Sequence, residues 1–363
     1  MFFGAPSKET DVALPVIPAI FPAISPTSTP TIKIATTTKK ELKATTTKTV
    51  IQKSVKPAAK PETKKVEKTS TTTPSTPVEP SLDFADINVF ARKALVNILC
   101  STNSGTLSPI SGTGVVVGPL GLILTNAHIG QYFLLKDFQG KNSIECVART
   151  GSPAYPKYKL ELVFISPVWV TNNKSLLKEQ NPKGTGENDF AFLRIKAMVD
   201  GSKLPDSFSF LPMDIREVVN VDEPVLLGSY PAGFLGGLSI LQDLNITTAI
   251  TKVRDIFTFD KNTIDLISVP GTVISQKGSS GGAVVDRYAH LIGIISTSSD
   301  GDTTSARDLR AITIAYINRD LQSELGISLA QFIFQNHSDF AEIFASTSAP
   351  TLTKLITDEL LKN

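Results

Sequence analysis

Six short apolar runs, near residues 96–102, 112–118, 120–126, 143–149, 158–166 and 189–195, follow one another with clusters of Gly, Pro and Asn between them. Runs of that length bounded by turn residues define an all-β pattern, because a pleated strand buries alternate side chains and Gly, Pro and Asn make the reversals. A second group follows at 221–233, 244–257, 263–275, 290–299 and 310–317. The expected fold class is all-β, with one group of strands over about 96–200 and a second over about 205–320.

Chemistry is concentrated at three places. QKGSSGGAVVD, residues 276–286, sets Ser280 among glycines. Glycine lets backbone close tightly around a hydroxyl, so the N–H groups of Gly278 and Ser280 are candidates for holding an oxyanion. An ordinary hairpin turn has the same composition. Upstream, SGTGVVVGPLGLILTNAHI (111–129) ends in His128, and ENDFAFLRI (187–195) carries Asp189 where an alternating strand opens. Of the three histidines, His128, His290 and His337, only His128 ends a hydrophobic run beside small residues, while His290 reads as a turn residue.

GSSGG also fits the nucleophile elbow of α/β-hydrolases. That elbow requires a helix after the serine and the order Ser, Asp, His. Here AVVDRYAHLIGIISTSS follows with a hairpin pattern, and the order is His, Asp, Ser.

TNAH, the Asp-Phe-Ala-Phe-Leu strand and GSSGG together resemble the three catalytic blocks of the chymotrypsin-like serine proteases, most of all the bacterial HtrA/Deg branch, over roughly residues 90–325. The resemblance implies that the two groups of strands form two six-stranded antiparallel β-barrels, with His128 as the general base, Asp189 orienting it, Ser280 attacking the scissile carbonyl, and oxyanion donors at Gly278 and Ser280. It places Ile274 and Ser275 at the floor of the primary specificity pocket, which argues against cleavage after Lys or Arg. It also places Ser296, Thr297 and Ser298 where substrate backbone pairs as an added strand. His128 is then expected within about 3 to 4 Å of both partners. Ser279 stands where relatives have Asp or Asn, no Ile-Val-Gly-Gly start exists, and no room is left for a PDZ domain. The family's barrel makes the strands of Cys100 and Cys146 neighbours, so the two cysteines are candidates for a disulfide; two unrelated buried thiols are the alternative.

Composition separates the folded part from what precedes it. Residues 1–30 hold six prolines and the patch VALPVIPAIFPAI, too short and too broken to span a bilayer and without the basic region of a signal peptide; it reads as the flank of a lost signal or anchor. Residues 31–80 contain 14 Thr, 11 Lys and 5 Pro with no aromatic residue or Gly. Such a segment buries too little apolar surface to offset its ordering entropy and reads as a disordered tether. The tether carries a charge of +7 and residues 1–30 a charge of −1, so of the whole-chain +2 the part after residue 80 carries −4. A basic pI therefore belongs to the tether, and no nucleic-acid partner is expected.

The protease domain is expected over 81–325, entered by a helix near 82–97 with Phe84, Ile87, Phe90, Ala91 and Leu95 at helical spacing. A helical tail over 326–363 closes the chain, with Leu352, Leu355, Ile356 and Leu360 on one helix face that packs on the barrel or a partner. The resulting expectation is a serine endopeptidase acting on polypeptides outside the cytoplasm, held to a membrane or envelope through its N-terminus, able to oligomerise and needing no cofactor or metal. A catalytically inactive peptide-binding module and a stalked structural protein are the alternatives.

Overall fold

The computed structural model describes residues 81–103, 107–179, 184–217, 219–259, 262–299, 303 and 306–362. The Pro-rich segment 1–30 and the tether 31–80 lie outside these residues.

Asp83 caps helix α1 (Phe84–Ala94) by accepting the Ala85 N–H at 2.9 Å. The helix buries Ile87, Ala91 and Ala94, leaves Phe90 half exposed, and ends where Leu95 takes extended backbone and opens β1 (Leu95–Thr102). Five more strands complete the first sheet: β2 (Ile110–Val116), β3 (Leu122–Thr125), β4 (Ile144–Thr150), β5 (Tyr155–Ile165) and β6 (Ala191–Met198). They close into an antiparallel barrel in the order β1-β2-β3-β6-β5-β4. Closure brings β4 back onto β1 with Cys100 opposite Cys146, and their sulfurs are bonded. Helix α2 (Ala127–Leu134), absent from the strand pattern, follows β3 directly and carries His128 in its first turn.

The second sheet runs β8-β7-β11-β12-β13-β10-β9. Its strands are β7 (Pro224–Ser229), β8 (Thr247–Lys252), β9 (Asp255–Phe257), β10 (Leu266–Val269), β11 (Ala283–Val285), β12 (Leu291–Ser298) and β13 (Leu309–Thr313). The two end strands are consecutive in the chain, with only Val253 and Arg254 between them. There the Val253 N–H donates to Glu223 O beside β7, and the Arg254 N–H to Ser268 O in β10. One bent segment thus serves both edges of a curled sheet, and the run 244–257 gives two strands where one was expected. The double barrel of the sequence reading is the fold, with the second barrel's sixth strand broken in two.

Two boundaries differ from the sequence pattern. Strand β6 starts at Ala191, so Asp189 stands on the turn before it. Strand β13 stops at Thr313, whose hydroxyl accepts the Tyr316 N–H at 3.1 Å and caps helix α5 (Ile314–Leu325). Residues 314–317 are all buried, so the run has no period by which helix and strand could be told apart.

Helices α6 (Leu329–Ile333), α7 (His337–Thr347) and α8 (Ala349–Leu360) complete the chain. In α8, Leu352 and Ile356 are buried, Leu355 and Leu360 pack beside them, and the Thr353 hydroxyl donates to Leu134 O at 3.0 Å. The apolar face of the tail is therefore covered by neighbouring helices, α7 and α2 among them; burial of Ile356 alone contributes roughly 2 kcal/mol. No described helix is long and apolar enough to cross a membrane.

Candidate active site

Histidine 128 and Asp189 meet at the end of the first barrel. Asn126 begins α2 and, from a fully buried position, its Nδ2 donates to Asp189 O at 2.9 Å. The His128 backbone N–H donates to Asp189 Oδ1 at 3.0 Å, and His128 Nδ1 lies 2.9 Å from Oδ2. From β12, the Ser296 hydroxyl donates to the same Oδ2 at 2.7 Å. Burial alone pushes Asp189 up, but the His128 charge and hydrogen bonds, with Ser296, outweigh it and hold the carboxyl below its usual value. For His128, burial pulls the imidazolium down, and the charge and hydrogen bond of Asp189 leave it net above the ordinary histidine value. An ionised Asp189 against Nδ1 keeps the ring proton there and turns Nε2 into the free base.

The loop carrying Ser280 is shaped by backbone. Gly278 has φ +94°, and a Cβ there would stand 2.6 Å from Tyr230 O; Gly281 has φ +79°, and a Cβ there would stand 2.0 Å from Thr113 O. Thr113 on β2 grips this loop from the other barrel. Its N–H donates to Ser280 O and its hydroxyl to Gly278 O, both at 2.8 Å, while the hydroxyl accepts the Tyr230 N–H at 3.0 Å. Thr125 in turn donates to Thr113 O at 2.7 Å. Ser279 is buried and bonded inward, donating to Ile274 O at 2.5 Å and accepting from Ser229 at 3.0 Å.

Holding the loop by its carbonyls leaves donors over. Among the described residues, the N–H groups of Gly278 and Ser280 have no acceptor, and the Ser280 hydroxyl has no hydrogen bond. His128 and Ser280 are accordingly not hydrogen-bonded to each other.

The remaining sequence candidates divide. Among the described residues, β12 beyond Ile295 is paired with β13 on one side only, so Ser296–Ser298 form an edge there; Thr297 is half-buried and Ser298 exposed. Ile274 is different from expectation: it is fully buried in the apolar cluster inside the second sheet with Ile295, Leu309 and Ala311, and presents no surface as a pocket floor. Ser275 is buried too, its hydroxyl accepting the Thr272 N–H at 3.0 Å. His290 stays in the hairpin turn after β11, 3.7 Å from Asp286, where Asp214 completes three groups with ligand atoms within 4.8 Å of one another. Arg216 already holds both oxygens of Asp214. Sequence reasoning missed Thr113, Thr125 and Asn126 as site residues; buried polar side chains in runs that are otherwise apolar were the signal available.

The model of the trypsin-like peptidase domain matches residues 112–294, from the strand that holds Thr113 into the strand that carries Ser296. The chain belongs to that family and is a serine endopeptidase. Two solved structures are similar to it: the active form of the Rv3671c protease from M. tuberculosis, 19% identical with a TM-score of 0.42 over 72% of this chain and 95% of that one, and the serine endoprotease from Yersinia pestis, 16% identical with a TM-score of 0.43 over 68% of each. No curated protein matches.

Proposed function

We propose that the chain hydrolyses peptide bonds through an acyl-enzyme formed on Ser280. Ser280 Oγ attacks the carbonyl carbon as its proton passes to His128 Nε2, and Asp189 stabilises the imidazolium that results. The oxyanion takes the N–H groups of Gly278 and Ser280. Collapse expels the amine, which leaves with the proton from His128, and water repeats the sequence to release the acid. The observation that carries this reading is the Asp189 carboxylate bonded by His128 and Ser296 beside a serine loop with two spare N–H donors.

Substrate is read as backbone added to the edge at Ser296–Ser298, so that main-chain hydrogen bonds supply the affinity. Recognition of extended chain rather than fixed sequence suits protein quality control in an envelope, and the bonded pair Cys100–Cys146 suits an oxidising compartment. Purified Ser280→Ala should lose casein cleavage while its circular dichroism stays unchanged. Undiminished cleavage by that variant would sink the assignment.

A further inference from the structure

Asn188, next to the aspartate, has φ +56°, in the left-handed region that Asn tolerates better than most residues. It is held there from one helix. Its N–H and its Nδ2 both donate to the Tyr316 hydroxyl at 3.0 Å, and Nδ2 also donates to Asp320 Oδ2 at 2.7 Å. Tyr316 and Asp320 are four residues apart on α5 and so share a face. The helix is itself fixed to the second barrel: Thr313 caps it and donates to Ile264 O at 2.6 Å, and the Tyr316 ring meets Phe259 edge-on at 5.1 Å. On the other side of Asn188, the Asp189 N–H donates to Gly186 O at 3.2 Å and the Phe190 N–H to Asn188 O at 2.8 Å.

The turn that aims Asp189 at His128 belongs to the first barrel, yet its sharpest residue is bonded to a helix that grows out of the second. We propose that Tyr316 and Asp320 are positioning residues for Asp189, acting through Asn188 to fix the carboxylate against His128. The proposal rests on the triad reading above. Burial holds the Tyr316 phenol well above its usual value, so it stays a neutral hydroxyl at any working pH. Without that hydroxyl, the buried Asn188 N–H has no acceptor and the left-handed turn has no brace.

The test uses the full chain with Tyr316→Phe, Asp320→Ala and Asp320→Asn, rates on a peptide amide being divided by the sites titrated with a fluorophosphonate. Tyr316→Phe should lower kcat per titrated site about 10- to 100-fold with KM nearly unchanged, the scale on which small misplacement acts. The acid limb of kcat/KM should move to lower pH, because His128 loses part of the support of Asp189. Asp320→Asn, which keeps an acceptor for Asn188, should retain activity that Asp320→Ala loses. Loss of titratable sites with an unchanged rate per site and an unmoved acid limb would mean a purely structural role and overturn the proposal. If Tyr316→Phe does not fold, equal activity of the two Asp320 variants overturns it. Wild-type protein that is not labelled at Ser280 would remove the triad reading itself, and the positioning role with it.

Discussion

Asp189 and Ser280 are built in opposite ways. The Asp189 carboxylate takes hydrogen bonds from the His128 backbone, the His128 ring and Ser296, while the Ser280 hydroxyl takes none among the described residues. The aspartate is held by its side chain and the serine loop by the carbonyls of Gly278 and Ser280, which leaves the N–H groups of those two residues without an acceptor among the described residues. The His128–Asp189 pair is thus a finished electrostatic unit. The Ser280 loop is a conformational one, so damage to the two halves should look different.

The largest effect should come from the electrostatic half. Asp189→Asn keeps the volume but favours the wrong imidazole tautomer, and kcat should fall on the order of 10⁴-fold. Because the charge of Asp189 is what raises His128 against burial, what activity remains should carry its acid limb at lower pH than the wild type; a pH–rate profile checks both. An unmoved limb would break the contrast between the halves.

In the conformational half, Gly281→Ala drives a Cβ to within 2.0 Å of Thr113 O, and no rotamer relieves a backbone clash. Turnover should fall on the order of 10²-fold or more, as expected when oxyanion donors are displaced, with the histidine titration seen by NMR unchanged. Thr113→Val is milder: the hydroxyl bond to Gly278 O is lost and the N–H bond to Ser280 O kept, costing about 1 to 3 kcal/mol in stability and about tenfold in kcat by the same oxyanion argument. Urea unfolding with active-site titration separates the two.

The smallest effect lies outside both halves. Glu324 on α5 accepts from Ser166 at 2.7 Å, and burial, with Asp320, pushes its carboxyl up to about 7. A carboxyl raised in the folded state costs stability as pH rises from the unfolded value, about 4.3, towards 7, and adds no more above that. Glu324→Gln should be neutral at pH 4 and stabilising at pH 8, by at most about 4 kcal/mol. Equal melting-temperature changes at both pH values would contradict this.

The strands and the three chemical blocks were legible because each is a local pattern: period-2 burial, a histidine at a strand end, a serine among glycines. What was not legible is what the two sheets do to one another. Thr113 sits in GTGVVV like any strand threonine, and its grip on Gly278 comes from a residue 165 positions away. Ile274 was placed by resemblance at a pocket floor, but chain direction alone does not say whether a side chain faces a pocket or the barrel interior. Tyr316 was read as strand because buried helix and buried strand are both continuously apolar. Asn188 precedes the alternating run and belongs to no local pattern, and its bonds to α5 depend on where that helix starts.

The most direct test of the central claim is fluorophosphonate labelling of the purified full chain, followed by peptide mass spectrometry. The account predicts one adduct, on Ser280, formed by folded protein and absent from Ser280→Ala and from urea-unfolded wild type. An adduct that persists in Ser280→Ala, or folded wild type that takes no label at Ser280, would contradict it.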